Sequence, residues 1–303
     1  MKILCTGDWH IRETNPEYRI DDFKTTLKRK IVSILNLYDK HDCDLLLQPG
    51  DFFDYAARVS YQMLSEWTLF FDGAPTIFTI LGQHDTKNHS LTNKDIPAYV
   101  FDAIGAIELL NDFVMGRSYI KDNEKLSLYG CSYGEKIPKV SKEKEIFNIL
   151  VIHKMIIKSK KLWEGQEEYS LAKSLLKKYN YDLIVSGDNH TKFIETYEDK
   201  TLINMGSLMR TAKNQQDHQP AVVIFDTETR EYIEELIPIE PFDEVFDINR
   251  IEKETVIKKE LTELVEVFEE QYETTIDFLK NLNIVKKAAD ADTLEIFNEI
   301  SST

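Results

Sequence analysis

Residues 3–10 read Ile3-Leu4-Cys5-Thr6-Gly7-Asp8-Trp9-His10, an apolar run of strand length followed by Gly, Asp and His. The chain returns to that order four more times before residue 191. Leu45-Leu46-Leu47 precedes Gly50-Asp51-Phe52-Phe53-Asp54, and Ile77-Phe78-Thr79-Ile80 precedes Gly82-Gln83-His84-Asp85. Ile149-Leu150-Val151-Ile152 ends on a lone His153, and Leu183-Ile184-Val185 precedes Gly187-Asp188-Asn189-His190. Short unbroken apolar runs are the signature of strands buried on both faces. Strands that each deliver an oxygen or imidazole ligand at their C-terminal end can build a polynuclear metal site along one sheet edge. Metal-dependent hydrolysis is the first chemistry to expect.

Helical patterns separate the runs. Within 20–40, Phe23, Leu27, Ile31, Ile34, Leu35 and Tyr38 recur at steps of three or four, which predicts an amphipathic helix. A second helix is expected near 58–71 and a third from Ser170 to Lys178. Beyond Asp188, Thr201–Asn204, Ala221–Phe225 and Tyr232–Ile237 read as short strands in an antiparallel meander. The order predicts an α/β layer structure continuing into a second sheet. Pro238 and Pro241 mark a boundary, dividing the chain into 1–237 and 238–303. From Ile251 onward there is no Pro or Gly, and Leu261, Val265, Phe268, Tyr272, Ile276 and Leu279 form one apolar stripe of a long helix. Asp290 is positioned to cap a shorter terminal helix carrying Leu294, Phe297 and Ile300.

The formal charge of −16 over 303 residues argues against broad adhesion to nucleic acid, though not against a nucleic-acid substrate gripped by metal ions or a partner. Residues 251–303 carry 13 acidic and 6 basic side chains, a face better suited to a protein than to DNA. No apolar run approaches the ~20 residues that span a bilayer. The first residues read as a strand rather than a signal peptide. Three widely spaced cysteines, Cys5, Cys43 and Cys131, suggest buried reduced thiols and a cytoplasmic protein.

Singly, each motif is an ordinary turn, and a histidine closing an apolar strand is more often a core residue than a ligand. Together and in order they resemble the calcineurin-like metallophosphoesterases, whose pattern is D-x-H, G-D-x-x-D, G-N-H-[DE], H and G-H-x-H. The resemblance covers roughly residues 1–210. It implies a four-layer α/β (α+β) sandwich with a small C-terminal capping and helical region, and two divalent ions, Mn²⁺ or Mg²⁺. Carried over by position, Asp8, His10, Asp51 and His190 would hold the first ion. Asp51 would bridge, and Gln83, His153 and Asp188 would hold the second. His84 would lie outside the ligands and give a proton or hydrogen bond to the leaving oxygen, oriented by Asp54. Asp85 serves either the site or its own turn. Gln83 replaces the family's Asn and Asp188 its His. Both remain competent donors, and the added carboxylate favours hard ions.

Three segments are similar to one branch, the SbcD-like nuclease subunits of double-strand-break repair. Gly7-Asp8-Trp9-His10-Ile11 is close to G-D-[WLT]-H-[LI], and Gly50-Asp51-Phe52-Phe53-Asp54 to G-D-[IL]-F-D. Asn204-Met205-Gly206-Ser207-Leu208-Met209-Arg210-Thr211 resembles Y-x-G-S-[LP]-x-R-x. That likeness implies a 3′–5′ exonuclease and structure-specific endonuclease on DNA, homodimeric, with its helical tail docked on an SMC-like coiled-coil ATPase. Ser207 and Arg210 would touch substrate. The rival readings are a small-molecule or cyclic nucleotide phosphoesterase on the same fold, and a non-enzymatic scaffold with a degraded second metal site.

Overall fold

The computed structural model describes residues 1–55, 59–110, 117–121, 124–143 and 145–271. The chain opens with β1 (Lys2–Cys5), α1 (Phe23–Lys40), β2 (Leu45–Gln48), α2 (Tyr61–Phe70), β3 (Ile77–Thr79), α3 (Pro97–Ala103) and β4 (Ile107–Leu109). Then come β5 (Arg117–Lys121), β6 (Glu124–Cys131), β7 (Ile146–His153), β8 (Ile156–Ile157), β9 (Ser170–Leu171), α4 (Ala172–Lys178) and β10 (Leu183–Gly187). The remainder is β11 (Phe193–Tyr197), β12 (Lys200–Asn204), β13 (Ala221–Asp226), β14 (Tyr232–Leu236), α5 (Phe242–Val245) and α6 (Ile248–Gln271). The chain divides into two units, Met1–Val245 and Phe246–Thr303.

Two six-stranded sheets build the first unit, in the orders β14-β13-β1-β2-β3-β4 and β11-β12-β10-β7-β6-β5. Period-2 alternation sorts each central strand between two cores. Ile3, Cys5, Leu45 and Leu47 face the second sheet and meet Ile149, Val151, Leu183 and Val185. Leu4 and Leu46 face the other way and pack with Phe23, Leu27, Ile31 and Ile34 of α1. Leu150, Ile152 and Ile184 pack on Leu175 and Leu176 of α4. Helices, sheet, sheet and helix therefore make four layers. Both faces of the central strands are buried, which is why their sequences are continuous apolar runs. A fully buried Leu or Ile contributes roughly 1.5–3 kcal/mol here.

The meander expected after Asp188 is not one. β12 lies parallel to β10 and antiparallel to β11 in the second sheet. β13 crosses to the first sheet and pairs antiparallel with β1, Ile3 opposite Phe225, and β14 follows it there. β1 has β2 on one side only, so its other edge needed a partner. Local sequence carries no mark of that distant pairing.

Helix starts follow local chemistry. Asp22 accepts from the Thr25 amide (3.1 Å) to cap α1, and Ser60 from Met63 (3.1 Å) to cap α2. In the second unit, Asp247 accepts from the Arg250 amide (3.0 Å) at the start of α6, whose 24 residues lack Gly and Pro. The stripe positions Tyr272, Ile276 and Leu279 and the helix capped by Asp290 lie outside the described residues. Among the described residues, no helix is long and apolar enough to cross a membrane. Cys5, Cys43 and Cys131 are free and buried.

Candidate metal centre

β1, β2 and β3 run parallel in one sheet, as do β6, β7 and β10 in the other. The residues just past β1, β2 and β10 and the end of β7 supply most of the candidate ligands. The turns are tight: His10, Asp51 and Asp188 have φ of 51°, 48° and 78°, a region non-glycine residues rarely enter. Main-chain bonds hold them there. The His10 amide donates to the Asp51 carbonyl (3.0 Å), and the Asp188 amide to Asp8 Oδ2 (3.0 Å). Gly82 is required for packing, because a Cβ there would lie 2.1 Å from Asp51 Oδ1.

The carboxylates and imidazoles converge. Asp8, His10 and His190 form one group whose ligand atoms lie within 4.8 Å of one another; Asp8, Asp51 and His153 form another, and His10, Asp51 and His84 a third. His190 Nε2 is 3.1 Å from His10 Nε2 and 3.5 Å from Asp8 Oδ2. Asp51 Oδ2 is 3.3 Å from His153 Nε2 and 3.9 Å from His10 Nε2. Gln83 Nε2 donates to Asp188 Oδ1 (3.0 Å), joining the two residues that depart from the family pattern. Five of the seven expected ligands fall in these groups, with Asp8, His10 and Asp51 each in two, and His84 joins them; Gln83 and Asp188 adjoin through their mutual hydrogen bond and the Asp188 amide on Asp8.

Hydrogen bonds behind the ligands set which atom faces inward. His153 Nδ1 donates to the Pro49 carbonyl (2.7 Å), which turns Nε2 toward the centre. His10 Nδ1 faces Asp54 Oδ1 at 3.2 Å, with the same result. Asp85 accepts from the amides of Phe52 (3.1 Å), Phe53 (2.7 Å) and Gly82 (3.0 Å), so it locks two motif turns together.

Asp8 Oδ1, Asp51 Oδ2, Gln83 Oε1 and His153 Nε2 are all buried and lack a hydrogen-bond partner. The three oxygens among them are acceptors, and each left without a donor carries a desolvation penalty of roughly 1–3 kcal/mol. Divalent cations relieve that penalty, and an oxygen-rich set with imidazole suits Mn²⁺, Mg²⁺ or a similar ion. The residues fit the group.

Electrostatics agree. Burial pushes the Asp8 carboxyl up to about 7, against the pull of His153. Burial acts the same way on Asp51, but the His153, His10 and His84 imidazoles outweigh it and hold that carboxyl well below the usual range. Burial lowers His153, yet Asp51, Asp8 and Asp188 raise it to about 10. His190 moves down to about 3, through burial and then the neighbouring His10.

Three expectations need correction. Asp54 does hold His84, but through its main-chain carbonyl (3.0 Å from Nδ1); its carboxylate lies 3.9 Å away and turns to His10 and Arg12 instead. Arg210 is 4% exposed; its guanidinium donates to the Glu240 carbonyl and sits 5.5 Å over the Phe242 ring, so it is engaged by the chain's own residues. Ser207 is buried, and its hydroxyl donates to the Met209 carbonyl (2.9 Å).

Arg12 adjoins the centre through Asp54 and stands in none of the motifs. Its NH1 lies 2.9 Å from Asp54 Oδ2, and its Nε is buried without a partner. The guanidinium stands 5.3 Å over the Tyr55 ring. A cation two residues past a D-x-H motif was the available signal. A family profile described as calcineurin-like phosphoesterase matches residues 1–192. Among curated proteins, none matches the chain.

Proposed function

Because this chain belongs to the calcineurin-like phosphoesterases, metal-dependent enzymes of phosphoester hydrolysis, we propose that it cleaves phosphodiester bonds in DNA. The reading is a Mn²⁺-dependent 3′–5′ exonuclease and structure-specific endonuclease of double-strand-break repair and recombination. The observation that carries the DNA assignment is the surround of the centre. One cavity of about 580 Å³ meets it at His190, and another of about 550 Å³ meets it at His153 and Asp188. Two openings at the centre would suit a chain substrate better than a small phosphoester, which needs only one. The likeness of residues 7–11, 50–54 and 204–211 to SbcD-like nucleases supports the same branch.

Asp8, His10, Asp51 and His190 would hold one ion, and Gln83, His153 and Asp188 the other, with Asp51 serving both. Bound there, a divalent pair would neutralise charge on the phosphoryl oxygens and ready a water for in-line attack. His84 serves the leaving side. The Asp54 carbonyl fixes its Nδ1–H, so Nε2 faces the centre, 4.0 Å from Asp51 Oδ2, on a side chain 40% exposed. From there Nε2 can pass a proton to the departing oxygen. The Asp54 carboxylate, clamped by Arg12, orients His10 rather than His84.

The acidic charge makes a DNA-gripping partner part of the proposal. An SMC-like ATPase docked on the α6 region would supply that grip, and homodimerisation follows from the same resemblance. Buried reduced thiols suit a cytoplasmic setting. The test is hydrolysis of end-labelled linear duplex DNA with Mn²⁺, Mg²⁺ or EDTA, with His84→Ala in parallel. Mn²⁺-dependent mononucleotide release that the variant loses supports the proposal. Activity on a small diester alone would move the chain to the small-phosphoester branch. No activity on either would favour a scaffold.

A further inference from the structure

The cavity of about 550 Å³ that shares His153 and Asp188 with the centre is aromatic: Tyr133, Trp163 and Tyr169 stand in its wall. Trp163 is 55% exposed, whereas Trp9 and Trp67 are wholly buried. Both platforms are braced. The Tyr133 amide donates to the Leu81 carbonyl (2.8 Å), next to the Gly82 turn, and the ring stands edge-on to His153 at 6.5 Å. Trp163 rides on a loop closed at its base by β8 pairing with β9. Within that loop, buried Gln166 accepts from the Leu162 amide (2.9 Å) and donates from its own amide to the Trp163 carbonyl (3.4 Å).

An indole left half in water on a braced loop beside a reactive centre offers a flat stacking face. Charge narrows the occupant. Glu135, Glu167, Glu168 and Asp188 outnumber Lys154 and His153 in the lining, so a phosphate is less welcome there than a neutral heterocycle. The volume lies in the range of pockets that enclose small ligands, roughly 300–1,000 Å³. The cavity at His190 has no Trp, Tyr or Phe in its wall.

We propose that the Trp163 cavity is a nucleobase subsite: it takes the base of the nucleotide whose phosphate lies at the metal centre, stacked against Trp163 and Tyr133. This rests on the phosphodiesterase reading and adds the part of the substrate that is read. Stacking is tolerant of base identity, so the subsite would anchor a strand end without selecting sequence.

Two measurements on the whole chain test it. Trp163 is the exposed indole, so its fluorescence with Mg²⁺ should be quenched by dAMP and not by ribose 5-phosphate, and the response should vanish in Trp163→Phe. Kinetically, thymidine 5′-(p-nitrophenyl) phosphate and methyl p-nitrophenyl phosphate share a leaving group and differ in the base. Trp163→Ala should raise KM for the thymidine ester about 5- to 100-fold relative to the methyl ester, and Trp163→Phe should largely restore it. An equal shift for both esters, or equal quenching by ribose 5-phosphate, overturns the subsite while leaving phosphodiester hydrolysis intact. Quenching by dAMP alone, with no hydrolysis of DNA or either ester, would uphold the subsite and sink the nuclease reading.

Discussion

The two halves of the centre are built differently from the same residue types. On one side His190 is 38% exposed and faces His10, and His10 in turn is braced by the charged pair Asp54–Arg12. On the other, His153 is fully buried, tied to a neutral carbonyl, and surrounded by Asp51, Asp8 and Asp188. The two imidazoles respond oppositely, His190 going down to about 3 and His153 up to about 10. Burial opposes charge on both, and the carboxylates around His153 overcome it. Negative charge is therefore concentrated on the His153 side, where a proton and a cation compete for one lone pair. The exchange of a neutral imidazole for Asp188 deepens that asymmetry.

The largest effect should come from the residue common to both halves. Asp51→Asn is expected to lower hydrolysis of a phosphodiester by at least ~10³-fold, since several kcal/mol of charge stabilisation are lost. An Asp51→Asn enzyme within tenfold of the parent would mean that the halves work independently. His84→Ala, at the residue proposed to serve the leaving oxygen, should lose about 10²–10⁴-fold in turnover while keeping its Mn²⁺. Metal loss in that variant would place His84 among the ligands. Arg12→Met should weaken only the His10 side, by about 10–100-fold in metal affinity, with Arg12→Lys recovering part. An unchanged affinity would show that the Asp54 carboxylate needs no clamp.

Acidity sharpens the contrast further. His153 titrates near 10 in the metal-free protein, so at neutral pH it holds a proton that a cation must displace. Mn²⁺ affinity should rise with pH between 6 and 9, by no more than about tenfold per unit, and calorimetry in buffers of different ionisation enthalpy should find a proton released. A pH-independent affinity would count against His153 as a ligand.

Much of this is legible in the sequence. The central strands announce themselves because burial on both faces removes polar alternation, and each ligand follows its strand within a few residues. What was not legible depends on partners far along the chain. Asp54 is near enough to two histidines, and only packing decides that its carboxylate goes to His10. Arg210 and Ser207 sit in a motif-like segment, yet Glu240 and Phe242, some thirty residues on, draw Arg210 away. The return of β13 to β1 answers an open sheet edge that no local pattern records. Tyr133 and Trp163 are single aromatics without periodicity, and only their shared cavity gives them meaning.

The smallest expected effect lies away from the centre, in α1. Lys30 is 6% exposed and donates to the Pro238 carbonyl (3.2 Å). Burial, against the pull of Glu240, lowers it from 10.5 to about 8. Between those values the unfolded chain binds the proton that the folded chain has released, so this group makes stability rise with pH there. The slope is at most about 1.4 kcal/mol per pH unit. Lys30→Met should flatten the denaturation midpoint over that window; an unaltered slope would place the lysine in water.

The most direct test of the central claim is a Mn²⁺ titration of the whole chain by calorimetry, beside Asp188→Asn. The two-sided centre predicts two binding events, with Asp188→Asn weakening one by about 10–100-fold and sparing the other. A single event indifferent to Asp188→Asn would contradict it.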